Sequence, residues 1–124
     1  MNSLKVLYVD DEADIREIAS LSLELDPEIT VRCESSGAGA VVCATDWLPD
    51  AILLDVMMPN MDGPSTLARL RSSEATKGIP VIFITARAQS REIEELKSLG
   101  ALDVITKPFD PMTLAAAVRR IIQL

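Results

Sequence analysis

Histidine is absent from the 124 residues, so no imidazole is available as a general base. Cysteine is scarce. Cys33 and Cys43 lie outside any CxxC or Cys/His arrangement, which leaves buried, reduced thiols as their reading. No uninterrupted apolar run approaches the ~18 residues of a membrane span. The opening Met1-Asn2-Ser3-Leu4-Lys5 has none of the regions of a signal peptide, so the expected compartment is the cytoplasm with no membrane partner. Positive charge is in deficit: 12 Lys and Arg face 19 Asp and Glu, a net charge of -7. Such a surface repels phosphate backbones, which argues against direct nucleic-acid binding.

What remains is the composition of a folded domain, 48% hydrophobic and 25% charged with five Gly and seven Pro. The length suits one domain, 1–124, with a single core. Leu4 to Val9 reads as a strand stopped by Asp10-Asp11. From Asp14 to about Leu25, the positions Ile15, Ile18, Ala19, Ser22 and Leu25 fall at helical spacing ahead of Pro27. The alternation repeats through a strand at Ile29–Cys33, a small-residue helix at Gly37–Trp47, a strand at Ala51–Leu54 and a helix at Gly63–Arg71. A strand at Pro80–Ile84, a helix at Gln89–Leu99 and a strand at Leu102–Ile105 follow. Asp110 is expected to cap a last helix through Ile122, with Pro111 at its first position. Trp47, the only tryptophan, reads as packing. Strands that are apolar throughout, alternating with helices, predict a doubly wound α/β fold whose five-stranded parallel sheet is covered on both faces.

In such a sheet the strands share one direction, and ligands bind along the carboxyl edge where the winding reverses. After the first strand come Asp10 and Asp11, after the third Asp55, after the fourth Thr85 and after the fifth Lys107. Taken singly, Asp and Thr are common strand terminators and helix caps, and a Lys is usually solvated. Together they are harder to dismiss, because three carboxylates at one edge repel each other unless a cation holds them. A hard, oxygen-seeking ion such as Mg²⁺ suits them.

Asp10-Asp11, the run Asp55-Val56-Met57-Met58-Pro59-Asn60-Met61-Asp62-Gly63, Thr85-Ala86 and Lys107-Pro108-Phe109 stand in the order and at the separations of a family signature. The chain thereby resembles, over essentially its whole length, the CheY-like receiver domain of bacterial response regulators in two-component signalling. The resemblance implies a flavodoxin-like fold with strand order 2-1-3-4-5. It implies that Asp55 accepts a phosphoryl group from a phosphohistidine on a histidine kinase or histidine phosphotransfer protein. With no histidine of its own, the chain must receive that group from outside. It implies Mg²⁺ held directly by Asp11, Asp55 and the Met57 carbonyl and through water by Asp10, with Thr85 and Lys107 contacting the phosphoryl oxygens. Such a protein is a signalling phosphoacceptor, which catalyses only its own phosphorylation and dephosphorylation. Met57 and Arg87 occupy places that tune acyl-phosphate hydrolysis in this family, and the side chains of Met57 and Met58 also read as apolar loop filling. The resemblance alone implies a cis peptide at Lys107-Pro108. Gly63 reads as serving a backbone conformation.

The pattern departs from many relatives at Val104, where an aromatic ring often moves with the Thr; a β-branched aliphatic cannot reproduce that swing. The output surface of the family is the face of the fourth helix, fifth strand and fifth helix, where Arg91, Lys97, Arg119 and Arg120 are candidates for polar contacts with an unknown downstream protein. A homodimer is left open, as is whether the domain stands alone or belongs to a longer regulator or hybrid kinase. Three rival readings meet obstacles in the sequence. A haloacid-dehalogenase-type phosphatase needs an acid two residues after its nucleophile, and Asp55 is followed by Val56-Met57. A flavodoxin-like cofactor binder needs a Ser/Thr/Gly-rich loop where Asp10-Asp11 stands. A receiver-like module that is never phosphorylated is expected to have lost a site residue, and none is lost.

Overall fold

Continuous apolar strands can be buried on both faces only if helices cover each side, and the fold realises this. The computed structural model describes residues 3–87 and 89–123, so both termini of the expected 1–124 domain lie outside the described residues. The elements alternate without exception: β1 (Leu4–Val9), α1 (Ala13–Leu23), β2 (Ile29–Glu34), α2 (Gly37–Trp47), β3 (Ala51–Asp55), α3 (Gly63–Arg71), β4 (Val81–Thr85), α4 (Ser90–Ser98), β5 (Asp103–Thr106) and α5 (Leu114–Ile122). The strands form one parallel sheet in the order β2-β1-β3-β4-β5, the order that the family resemblance implies.

Because side chains alternate along a strand, the sheet divides its residues between two cores. Leu7, Val9, Ile52, Leu54, Val81 and Phe83 pack against α2 and α3. Val6, Tyr8, Leu53, Ile82 and Ile84 pack against α1 and α5. Each fully buried aliphatic or aromatic side chain contributes about 1.5–3 kcal/mol. In contrast α4 has no fully buried residue, and only Leu96 of its side chains packs against the first core. No helix among the described residues is long and apolar enough to cross a membrane.

The starts of α2 and α3 are fixed by side-chain caps. The Ser36 hydroxyl accepts from Gly39 N–H at 3.0 Å and the Asp62 carboxylate from Ser65 N–H at 2.9 Å. Several expected boundaries shift, most by a single residue, and three of the shifts have a visible cause. α1 ends at Leu23, and Leu25 is 60% exposed, because the chain turns there through Leu25 and Asp26 N–H bonds to Ser22 and Leu23 carbonyls. Asp110 does not cap the helix and Pro111 is not its first residue: the Asp110 carboxylate accepts from Met112 N–H at 2.9 Å in a turn over 111–113, and α5 begins at Leu114, the first of these residues to be buried, after Thr113. Leu102 lies before β5 with its N–H bonded to the Val81 carbonyl. Both cysteines are free; Cys43 is in the core, whereas Cys33 is only half-buried.

Candidate functional site

Register brings the acids together. Val9 pairs with Leu54, so the next residue of each chain segment, Asp10 and Asp55, stands at adjoining strand ends where the winding reverses. Asp55 and Thr85 are the last residues of β3 and β4 rather than residues beyond them. Thr85 pairs with Thr106, and its carbonyl accepts from Lys107 N–H at 2.8 Å, which ties the fifth strand end to the fourth. The Lys107-Pro108 peptide is cis.

The side chains then converge. Lys107 Nζ lies 2.8 Å from Asp10 Oδ2 and 3.3 Å from Asp55 Oδ2. Asp10, Asp11 and Asp55 each place a carboxylate oxygen within 4.8 Å of the others, with Asp10 and Asp55 buried and Asp11 exposed. Oδ1 of Asp10 accepts from Glu12 N–H at 3.0 Å, and Oδ2 accepts the Tyr8 hydroxyl at 3.3 Å. The Arg16 guanidinium donates to the Asp10 carbonyl at 2.8 Å. The Thr85 hydroxyl oxygen accepts from Arg87 N–H at 3.0 Å, which still leaves its own proton free to donate.

Burial, followed by the charge of Asp10, pushes the Asp55 carboxyl up to about 6 against the pull of Lys107 and the Met57 N–H. Burial opposes the charge on Lys107, but bonding and attraction to Asp10 and Asp55 outweigh it and raise the ammonium above its ordinary value. For Tyr8, burial and then the Asp10 charge raise the phenol far above its ordinary range, so it remains a donor. The cluster therefore carries three acids against one ammonium, with hard oxygen donors only. Those donors fit a small divalent cation, for which Asp10, Asp11 and Asp55 are the available carboxylates.

Other expectations meet the structure differently. Met58 is 8% exposed and fills the α2–α3 core, whereas Met57 is 72% exposed, so only one of the two fills the loop. Gly63 has no left-handed dihedral; a Cβ there would meet the Asp55 carbonyl oxygen at 2.6 Å and Val56 Cα at 2.9 Å, so close approach rather than conformation requires it. Arg119 is bound to Asp26 on the α1 side of the molecule, and Lys97 lies 3.6 Å from Asp103. The sequence reading missed Tyr8 and Arg16. Tyr8 carried a signal, a polar-tipped ring on the same strand face as Asp10, two residues before it.

The sequence matches the protein family described as response regulator receiver domain over residues 6–119. The chain belongs to that family. The phosphate regulon transcriptional regulatory protein PhoB of Pseudomonas aeruginosa is 36% identical to this receiver domain over 118 residues, which are 95% of the chain and 51% of PhoB. The transcriptional regulatory protein CseB of Streptomyces coelicolor is 39% identical over 118 residues, 95% of the chain and 49% of CseB. The receiver domain thus spans about half the length of these curated relatives. Chemotaxis protein CheY4 of Vibrio cholerae superimposes with a TM-score of 0.87 at 32% identity, covering 97% of this chain and 99% of that one. The family is one of signalling proteins rather than metabolic enzymes, and the receiver is a two-component signal-transduction module.

Proposed function

We propose that this receiver domain, one unit over 1–124, takes a phosphoryl group onto Asp55 from a phosphohistidine of a histidine kinase or histidine phosphotransfer protein. The observation that carries this is the convergence of Asp10, Asp11, Asp55 and Lys107 at one sheet edge. An Asp55 carboxylate oxygen attacks phosphorus, an O–P bond forms, the N–P bond breaks and the imidazole leaves, giving an acyl phosphate. The transition state is loose and its charge spread, so the chain's task is alignment and positive charge. The Lys107 ammonium moves from the carboxylates to a phosphoryl oxygen, and the Thr85 hydroxyl donates to another. Asp10, Asp11, Asp55 and the Met57 carbonyl are the groups that would hold Mg²⁺ here. When bound, that ion offsets the carboxylate charge and orients the phosphoryl oxygens.

The chain needs no other chemistry: it catalyses only its own phosphorylation and dephosphorylation, in the cytoplasm. An apolar cleft lined by Ile15, Ile18, Ala86, Pro108 and Phe109 opens beside Lys107 and gives the donor protein footing. The signal leaves through the α4-β5-α5 face toward a downstream protein, by a shift between two arrangements of that face. The loose anchoring of α4 supports this, and with Val104 packed against the first core the aromatic part of the shift is absent or replaced by other residues.

The test is to incubate the chain with acetyl phosphate, with and without Mg²⁺, and follow its mass. One phosphoryl adduct is expected, dependent on Mg²⁺ and lost in Asp55→Asn. An intact wild type that gains no adduct from acetyl phosphate or from a phosphorylated kinase overturns the proposal.

A further inference from the structure

The buried strand residues of the α1-side core are aliphatic except at one point. Val6, Leu53, Ile82 and Ile84 share that core with Tyr8, whose ring is fully buried and whose hydroxyl donates to Asp10 Oδ2 at 3.3 Å. That oxygen has two protein donors, the phenol and the Lys107 ammonium, while Oδ1 is occupied by Glu12 N–H. Asp10 itself is wholly buried, so apart from a water carried in by the metal no solvent replaces a donor that leaves. In the phosphoacceptor reading, on which this inference rests, Lys107 must leave Oδ2 to reach a phosphoryl oxygen. A buried carboxylate oxygen stripped of its donors is costly, and the cost would fall on the transfer step.

We infer that Tyr8 is a positioning residue for phosphoryl transfer: its hydroxyl keeps Asp10 Oδ2 satisfied while the Lys107 ammonium hands over to the phosphoryl group. The ring is held for this. It packs edge-on against Phe109, with centroids 6.5 Å apart and planes at 69°, and Phe109 stands two residues beyond Lys107 on the same loop. The phenol is thus anchored both to the carboxylate that Lys107 leaves and to the segment that carries Lys107. A phenylalanine would fill almost the same space without supporting the exchange.

Tyr8→Phe removes only the oxygen. With acetyl phosphate and saturating Mg²⁺, the maximal rate of Asp55 phosphorylation is expected to fall roughly fivefold or more, as for loss of a bond to a charged group. The half-saturating acetyl phosphate concentration should move less than about twofold, because the carboxylate stays oriented by Glu12. In a Lys107→Ala background the same substitution should change the rate by less than about twofold, since the handover is already gone. A structural role alone would lower the melting temperature without this coupling. Tyr8 is the only tyrosine, so a ¹³Cζ label gives one resonance in the unmutated protein. It should shift on phosphorylation, and not in Asp55→Asn. A wild type that phosphorylates while Tyr8→Phe keeps its full rate, or while the resonance stays fixed, overturns the inference alone. A wild type that never phosphorylates overturns both this inference and the reading beneath it.

Discussion

The Lys107 ammonium sits 2.8 Å from Asp10 Oδ2, the one cation among the described residues paired with the buried acids of the sheet edge. It balances Asp10 and, at 3.3 Å, Asp55. Lys107→Met would leave two neighbouring carboxylates unneutralised, a loss on the order of 1–3 kcal/mol in metal-free buffer. Urea unfolding with EDTA checks it, and added Mg²⁺ should recover part of the loss. Equal stability of variant and wild type in EDTA would show that the ion pair carries no net weight.

Asp55 sets a pH dependence of opposite sign to the usual carboxylate. Its folded value, about 6, lies above the ordinary 3.8, so the folded chain binds a proton that the unfolded chain does not between those values. The penalty is full above about pH 6 and fades as pH falls, so this group alone makes the metal-free chain more stable at pH 5 than at pH 7.5. Asp55→Asn should flatten that slope and unfold at a higher temperature at pH 7.5. Parallel slopes for the two proteins in EDTA would remove Asp55 as the source.

Asp26 and Arg119 tie the turn after α1 to α5, with Arg119 Nη2 3.3 Å from Asp26 Oδ1. The Arg119 bond, followed by Glu28 N–H, holds the Asp26 carboxyl below its ordinary value. Its contribution is therefore present above pH 3.8 and lost as pH falls through the lower folded value. Arg119→Ala should lower the melting temperature at pH 7, and the two proteins should converge toward pH 3. Thermal melts across that range decide it.

Gly63→Ala forces a methyl against the Asp55 carbonyl and Val56 Cα, backbone atoms with no rotamer to yield. A destabilisation of about 1–3 kcal/mol is expected. Because the displaced backbone belongs to Asp55, phosphorylation from acetyl phosphate should slow as well. Gly78→Ala, where nothing lies within 4 Å, is the matched control and should change neither.

How far the sequence could be read depended on which property carried the information. Strands such as Ile52–Leu54 and Val81–Ile84 are legible because burial on both faces demands unbroken apolarity. The winding order followed from the family resemblance, and the edge position of Asp10, Asp55, Thr85 and Lys107 followed from where those strands stop. The start of α5 was misjudged because Asp110-Pro111 has the local chemistry of a helix entry, while the burial that sustains a helix begins only at Leu114. Tyr8 was missed because strand periodicity says which face a ring joins and not that its tip reaches a carboxylate. Met57 and Met58 look alike in sequence; only three dimensions separate the surface methionine from the core one.

Trp47 closes α2 at the end of the sheet where β1 begins. Its ring lies beneath the Arg32 guanidinium at 4.6 Å, and its carbonyl is bonded by Lys5 Nζ at 2.7 Å. Lys5 and Asp10 are five residues apart along one extended strand, roughly 15 Å. The single indole is thereby optically remote from the chemistry: its emission should follow unfolding faithfully and stay silent when Asp55 is loaded. That separates two signals that many proteins entangle, so a fluorescence melt of this domain reads folding alone while mass or phosphorus resonance reads the acyl phosphate.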